Sequence, residues 1–158
     1  MNCKHKGTFY IKYFFRIAKI FLLKCLNFVK ATFTKPIYVG EYVTDRNFGD
    51  ALNYVLLKKM YNATVIPKRF CFDFQYKKHD NLLFIGSIMK TADERSIVWG
   101  AGIMSRNEKV NGVKKIYSVR GPITQNILIS QGYDCPSNFG DPALLMPRIY
   151  NPPIKCQY

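Results

Sequence analysis

Acidic residues, histidines and paired cysteines are scarce in this chain of 158 residues. It has 10 Asp and Glu against 24 Lys and Arg, and only two His. Its five cysteines, Cys3, Cys25, Cys71, Cys135 and Cys156, include no Cys-x-x-Cys pair. That spacing argues against a zinc ribbon and against a disulfide framework. Reduced thiols in a cytoplasmic compartment are the simplest reading. His5 and His79 stand alone, so no metal site is expected. Gly-x-Gly-x-x-Gly, P-loop and nucleophile–base signatures are also missing, which removes the common dinucleotide, nucleotide and triad chemistries. There is no long apolar run either. Between Thr8 and Phe33 a basic residue interrupts every few positions, whereas a membrane span needs ~20 predominantly apolar residues. The run Ile20–Leu23 is too short for a signal peptide, and no small-residue cleavage site follows it.

What charge there is lies unevenly. Residues 1–35 hold eight of the 24 basic residues and no acid. The rest is only mildly basic, so the excess belongs to an N-terminal arm, residues 1–35. At about 100° per residue, Lys12, Arg16, Lys19, Asn27 and Lys30 share one side of a helix. Phe14, Phe15, Phe21, Leu22, Cys25 and Val29 lie largely away from that stripe. Such a basic amphipathic helix, over residues 8–33, fits an anionic membrane surface. The competing reading docks its apolar face on its own domain or on a partner. Nucleic-acid binding would rest on charge alone and is not adopted.

After Pro36 the chain alternates short apolar runs with helical patterns, which predicts an α/β domain over 36–150 with a Rossmann-like, mostly parallel sheet. Strands are expected at Ile37–Val43, Thr64–Ile66, Leu82–Ile85, Ile97–Trp99 and Ile116–Val119. Asp50 reads as the N-cap of a helix whose inner face carries Leu52, Val55, Leu56 and Met60. Lys68–Asp80, with Phe70, Phe72, Phe74 and Tyr76 alternating, fits either an edge strand or an ordered loop. Pro122 opens a second helix with Ile123, Ile127 and Leu128 on its apolar face, and Gly132 suits its end. Pro142–Tyr150 gives a last apolar turn, and residues 151–158 read as a truncated interdomain linker.

Glycine-bearing turns close most of the apolar runs: Asn47-Phe48-Gly49-Asp50, Ile85-Gly86-Ser87, Trp99-Gly100-Ala101-Gly102, Val119-Arg120-Gly121-Pro122 and Phe139-Gly140-Asp141-Pro142. If the runs are parallel strands, these turns share the carboxyl edge of one sheet, where open α/β folds bind ligands. Arg120, at a strand end beside a helix start, suits a carboxylate or phosphate; it could equally brace the crevice through carbonyls. Asp50 could hold sugar hydroxyls or simply cap its helix, and Asp141 could do no more than close a turn. Ser87 and Thr124 could donate to a phosphate or cap their own helices. Trp99 is assigned to the core rather than to a stacking platform.

In order, Asn47-Phe48-Gly49-Asp50-Ala51-Leu52-Asn53, Ile85-Gly86-Ser87-Ile88, Val98-Trp99-Gly100-Ala101-Gly102-Ile103, Ser118-Val119-Arg120-Gly121-Pro122-Ile123-Thr124 and Phe139-Gly140-Asp141-Pro142-Ala143-Leu144-Leu145 resemble the polysaccharide pyruvyl transferase family over residues 37–150. The resemblance implies one half of a glycosyltransferase-B-like architecture. It also implies transfer of pyruvyl from phosphoenolpyruvate to a saccharide acceptor, free or lipid-linked, forming a cyclic ketal. No cofactor is implied beyond that donor substrate. Arg120, with Gly121 and the following helix, would contact the donor anion, and Asp50 the acceptor. Asn47, Gly49, Gly86, Ser87, Gly100, Gly102, Thr124 and Asp141 would line the same cleft, with no catalytic acid assigned. Family members carry a second domain after the Gly-Asp-Pro segment. The chain therefore reads as an N-terminal half, completed by a separate polypeptide or retained as a non-catalytic saccharide-binding or assembly subunit.

Overall fold

A computed structural model describes residues 4–40 and 47–153, with the side chains of residues 4–11 and of Asp50 outside the description. Its elements run α1 (Lys4–Phe33), β1 (Ile37–Val39), α2 (Phe48–Tyr61), β2 (Val65–Pro67), α3 (Asp73–Tyr76), β3 (Asn81–Leu83), β4 (Ser96–Trp99), β5 (Lys115–Ser118) and α4 (Pro122–Ser130). Short 3₁₀ turns occupy Lys68–Phe70, Met89–Thr91 and Pro142–Arg148. The strands form one five-stranded sheet in the order β2-β1-β3-β4-β5. Every pairing is parallel. The fold is α/β and Rossmann-like, with the chain reversing its direction of growth between β1 and β3, the position where doubly wound sheets open a crevice.

Side chains alternate across the strands and build a core on each face. Val39, Phe84 and Ile85 meet Leu52, Leu56 and Leu57 of α2 on one face, with Ala143, Leu145 and Met146 packed against them. On the other, Leu83, Val98 and Ile116 join Met89, Val119 and Leu128. Tyr38 and Ile66 extend that side with Cys71 and Tyr76. Because parallel strands are covered on both faces, they read as continuous apolar runs rather than alternating ones. At the amino edge Ser96 Oγ donates to Asn81 Oδ1 at 2.9 Å, and Asn81 Nδ2 donates to Asp93 Oδ1 at 3.0 Å, fastening β3 to β4 away from the carboxyl rim.

Several expectations shift. The first strand ends at Val39, and residues 41–46, including Asp45 and Arg46, lie outside the description. Asn47 rather than Asp50 caps α2, because its carboxamide accepts the Gly49 N–H at 2.8 Å. Asp50 consequently falls inside the first turn. Val55 is exposed, and the inner face of α2 uses Asn53 and Leu57 instead. Lys68–Asp80 is neither edge strand nor plain loop: a 3₁₀ turn leads into the single turn of α3. Ile123 is exposed, and Thr124 takes the buried position. Gly132 does end α4: at φ +87° it donates to Ile129 O while Tyr133 N–H reaches Leu128 O, a Schellman closure.

The N-terminal helix shows the largest departure. It lays only part of its apolar surface on the domain: Phe21 meets Phe72 edge-on, whereas Phe14, Phe15, Leu22 and Val29 stay exposed. Asn27 Nδ2 donates to Phe70 O at 3.1 Å, and Ala31 packs on the Tyr38–Ile66 cluster. Phe28 meets Phe72 and Phe74 edge-on. The face that includes Asn27, a member of the supposed polar stripe, is therefore the docked one. Beneath it Cys71 is buried, and desolvation pushes its thiol up to about 11. Native Cys71 should accordingly resist iodoacetamide at pH 8, because the thiolate is the reactive form. Mass-spectrometric detection of rapid labelling there would show that this cluster opens.

Candidate functional site

The glycine turns do converge on the carboxyl rim, through backbone as well as side chains. Gly102 N–H donates to Gly86 O at 2.9 Å, joining the turns after β3 and β4. Gly100 N–H donates to Ser118 O at 2.9 Å, and Arg120 N–H donates to Ala101 O at 3.2 Å, joining those after β4 and β5. A parallel bridge between Val119 and Phe139 then carries Gly140 and Asp141 to the same rim. On the β1 side the start of α2, with Asn47 and Gly49, is tied to the end of β3 by Asn53. Its Oδ1 accepts from Ile85 N–H at 2.8 Å, and its Nδ2 lies 3.3 Å from Ile85 O.

Two glycines have specific reasons to lack a side chain. Gly100 has φ +94°, and a β-carbon would run into the Pro142 ring and the Gly140 carbonyl. Gly102 is different. A β-carbon there would lie 2.6 Å from Arg120 Nε and 2.7 Å from Cζ, so the guanidinium occupies the space that the glycine leaves. Gly121 is extended, and a β-carbon on it would meet nothing; its bareness keeps the approach to α4 open.

Arg120 is exposed and held in place by neutral groups. Its Nη2 donates to Ser87 Oγ at 2.8 Å and lies 3.5 Å from Ile103 O. No carboxylate pairs with it among the described residues. A positive charge positioned by a hydroxyl and a carbonyl remains electrostatically available to an anion. Beside it lies a recess of about 440 Å³ lined by Met104, Ser105, Arg106, Gly121, Ile123 and Thr124, among others. The recess adjoins the first turn of α4, whose N-terminal dipole adds to the attraction.

Other expected site residues serve structure. Thr124 is buried, and its hydroxyl accepts the Ile103 N–H at 3.3 Å. Asp141 accepts from Ala143 N–H at 2.9 Å and caps the last 3₁₀ turn. Asn47 is spent on its own helix. Trp99 is not core: it is 39 % exposed, leaning on Phe84 at 5.5 Å between centroids. Two residues escaped the sequence reading. Asn53 could have been noticed as a polar residue among the inward leucines of α2; Arg106, in a polar loop without periodicity, carries no such signal. A second recess, of about 510 Å³, lies between the end of α1 and Tyr38, Gln75 and His79. It sits at the amino edge, and none of the glycine turns lines it.

Among proteins with known descriptions, the chain is similar to one from Acanthamoeba polyphaga mimivirus that is itself described only as uncharacterized. The two are 29% identical over 116 residues, 73% of this chain. The chain spans only 39% of that relative's length. No family model matches the chain. No solved structure matches it either. No helix among the described residues is long and apolar enough to cross a membrane.

Proposed function

We propose that this chain is the donor-binding half of a polysaccharide pyruvyl transferase. One observation carries the reading: Arg120 lies over Gly102, held by Ser87 Oγ at 2.8 Å, at the mouth of a recess that also holds Arg106. Phosphoenolpyruvate presents a phosphate and a carboxylate on one small carbon frame. Two guanidiniums and a helix start are the donor set that a ligand with two anionic groups needs. The reaction adds one proton to the terminal enol carbon. Two sugar hydroxyls then bond in turn to the adjacent carbon, each losing its proton, as the C–O bond to phosphate breaks. Charge stabilisation at the leaving phosphate falls to the arginines.

Proton transfer is a separate requirement. No carboxylate or imidazole lines the recess among the described residues. This supports a division of labour in which the general acid and the saccharide site come from a second domain or a separate chain. A non-catalytic anion- or saccharide-binding subunit is the alternative favoured by the same observation.

Calorimetric titration of phosphoenolpyruvate into the purified chain tests the reading. Saturable binding is expected, with Arg120→Ala weakening it by about 10–100-fold, the worth of a charge-assisted contact. A folded chain that binds no phosphoenolpyruvate, or an Arg120→Ala variant that binds as well, would reject a donor site here. Binding without turnover when saccharide is added would separate the subunit reading from the enzyme.

A further inference from the structure

The outward side of α1 has a chemistry that its docking on the domain leaves unused. The helix has 30 residues, about 45 Å in length. Lys24, Asn27, Phe28 and Ala31, with Phe21 at the margin, mark the side that meets the domain. At about 100° per residue, Phe14, Phe15, Leu22, Leu26, Val29 and Phe33 fall within one sector on the opposite side. These six are 49 to 84 % exposed, and between Phe14 and Phe33 no charged residue interrupts the sector. Lys12, Lys19 and Lys30 line one long border of it. Residues 1–35 contain no acid.

We propose that this strip lies in the surface of an anionic phospholipid bilayer, with Lys12, Lys19 and Lys30 at the level of the lipid phosphates. A long apolar strip edged by cations is the form of a helix that lies in the interface rather than crossing it. Charge chooses between occupants. A second copy of the strip would bring lysines of both helices to one seam with no acid to pair them. Anionic headgroups supply the missing sign. The strip and the docked face share none of these side chains, so the bilayer and the domain do not compete for them. This inference does not depend on the reaction proposed above.

The test is co-sedimentation of the full chain with vesicles of phosphatidylcholine, with and without 30 mol % phosphatidylserine. Binding to the anionic vesicles is expected, weakened by salt and slight on neutral ones. Lys12→Gln, Lys19→Gln and Lys30→Gln together should lower the partition constant by about 100-fold, from roughly 1 kcal/mol per lysine. Phe14→Ser with Leu22→Ser and Val29→Ser should remove it, while the thermal unfolding midpoint stays in place because these residues face away from the domain. Absence of binding by the unaltered chain would overturn the proposal, as would equal binding by the serine variant. A concentration-dependent dimer in ultracentrifugation, dissolved by the same serines in a chain that ignores vesicles, would assign the strip to a second copy instead.

Discussion

Replacing Asn53 by leucine is expected to cost about 2–6 kcal/mol of stability, enough to leave much of the chain unfolded at 37 °C. Asn53 is fully buried in α2, and its carboxamide holds both backbone groups of Ile85. Leucine fills the same space and breaks no packing. It leaves a buried N–H and a buried C=O unpaired, and each unsatisfied group costs about 1–3 kcal/mol. Small domains hold only about 5–15 kcal/mol in total. Urea unfolding would read the loss as a fall in midpoint at unchanged slope. A midpoint within 0.5 M of the parent would mean that water or another group can serve Ile85, and that Asn53 does not fasten α2 to β3.

The second large effect separates function from folding. Gly102→Val should lower affinity for phosphoenolpyruvate as far as Arg120→Ala does, about 10–100-fold, while costing no more than ~1 kcal/mol of stability. The new β-carbon would overlap the Arg120 guanidinium, and that group is the free end of a flexible side chain. The arginine yields and the strands do not. Gly100 makes the contrast: a side chain there would strike Pro142 and a backbone carbonyl, neither of which can swing aside. Titration calorimetry and thermal unfolding on the same preparation would decide. Full affinity in Gly102→Val would show that the guanidinium sits elsewhere when the ligand is bound.

What could be read from the residues divides along physical lines. Strands covered on both faces leave a local signal, short β-branched and apolar runs ended by glycine, and β3, β4 and β5 lie where those runs are. Residue type alone places the start of α2 three residues late, because Asn47 and Asp50 are both good caps and only the Asn47–Gly49 hydrogen bond distinguishes them. Lys68–Asp80 misled for another reason. Its alternating aromatics mimic a strand, but Phe72 and Phe74 stack on each other at 5.6 Å and receive Phe28 of α1. That period of two comes from a tertiary contact 40-odd residues away in the chain, which no local pattern encodes. The same holds at the site. Arg120 was conspicuous from its place between a strand and a helix, whereas Arg106 reaches the recess only because the loop after β4 folds back over α4.

The carboxyl rim is stitched from turns spread between Asn47 and Asp141, and each stitch crosses from one chain segment to the next. No contiguous peptide of this chain carries the proposed anion site. Parallel strands joined by crossovers place contacting residues far apart in sequence, which makes such sheets slow to assemble. The rim exists only where the strand ends are in register, so an anion bound at the proposed site would meet it only in molecules whose sheet is formed. Occupancy of the proposed site would then count fully folded chains. Its free energy is added to the stability of the entire domain rather than to one loop.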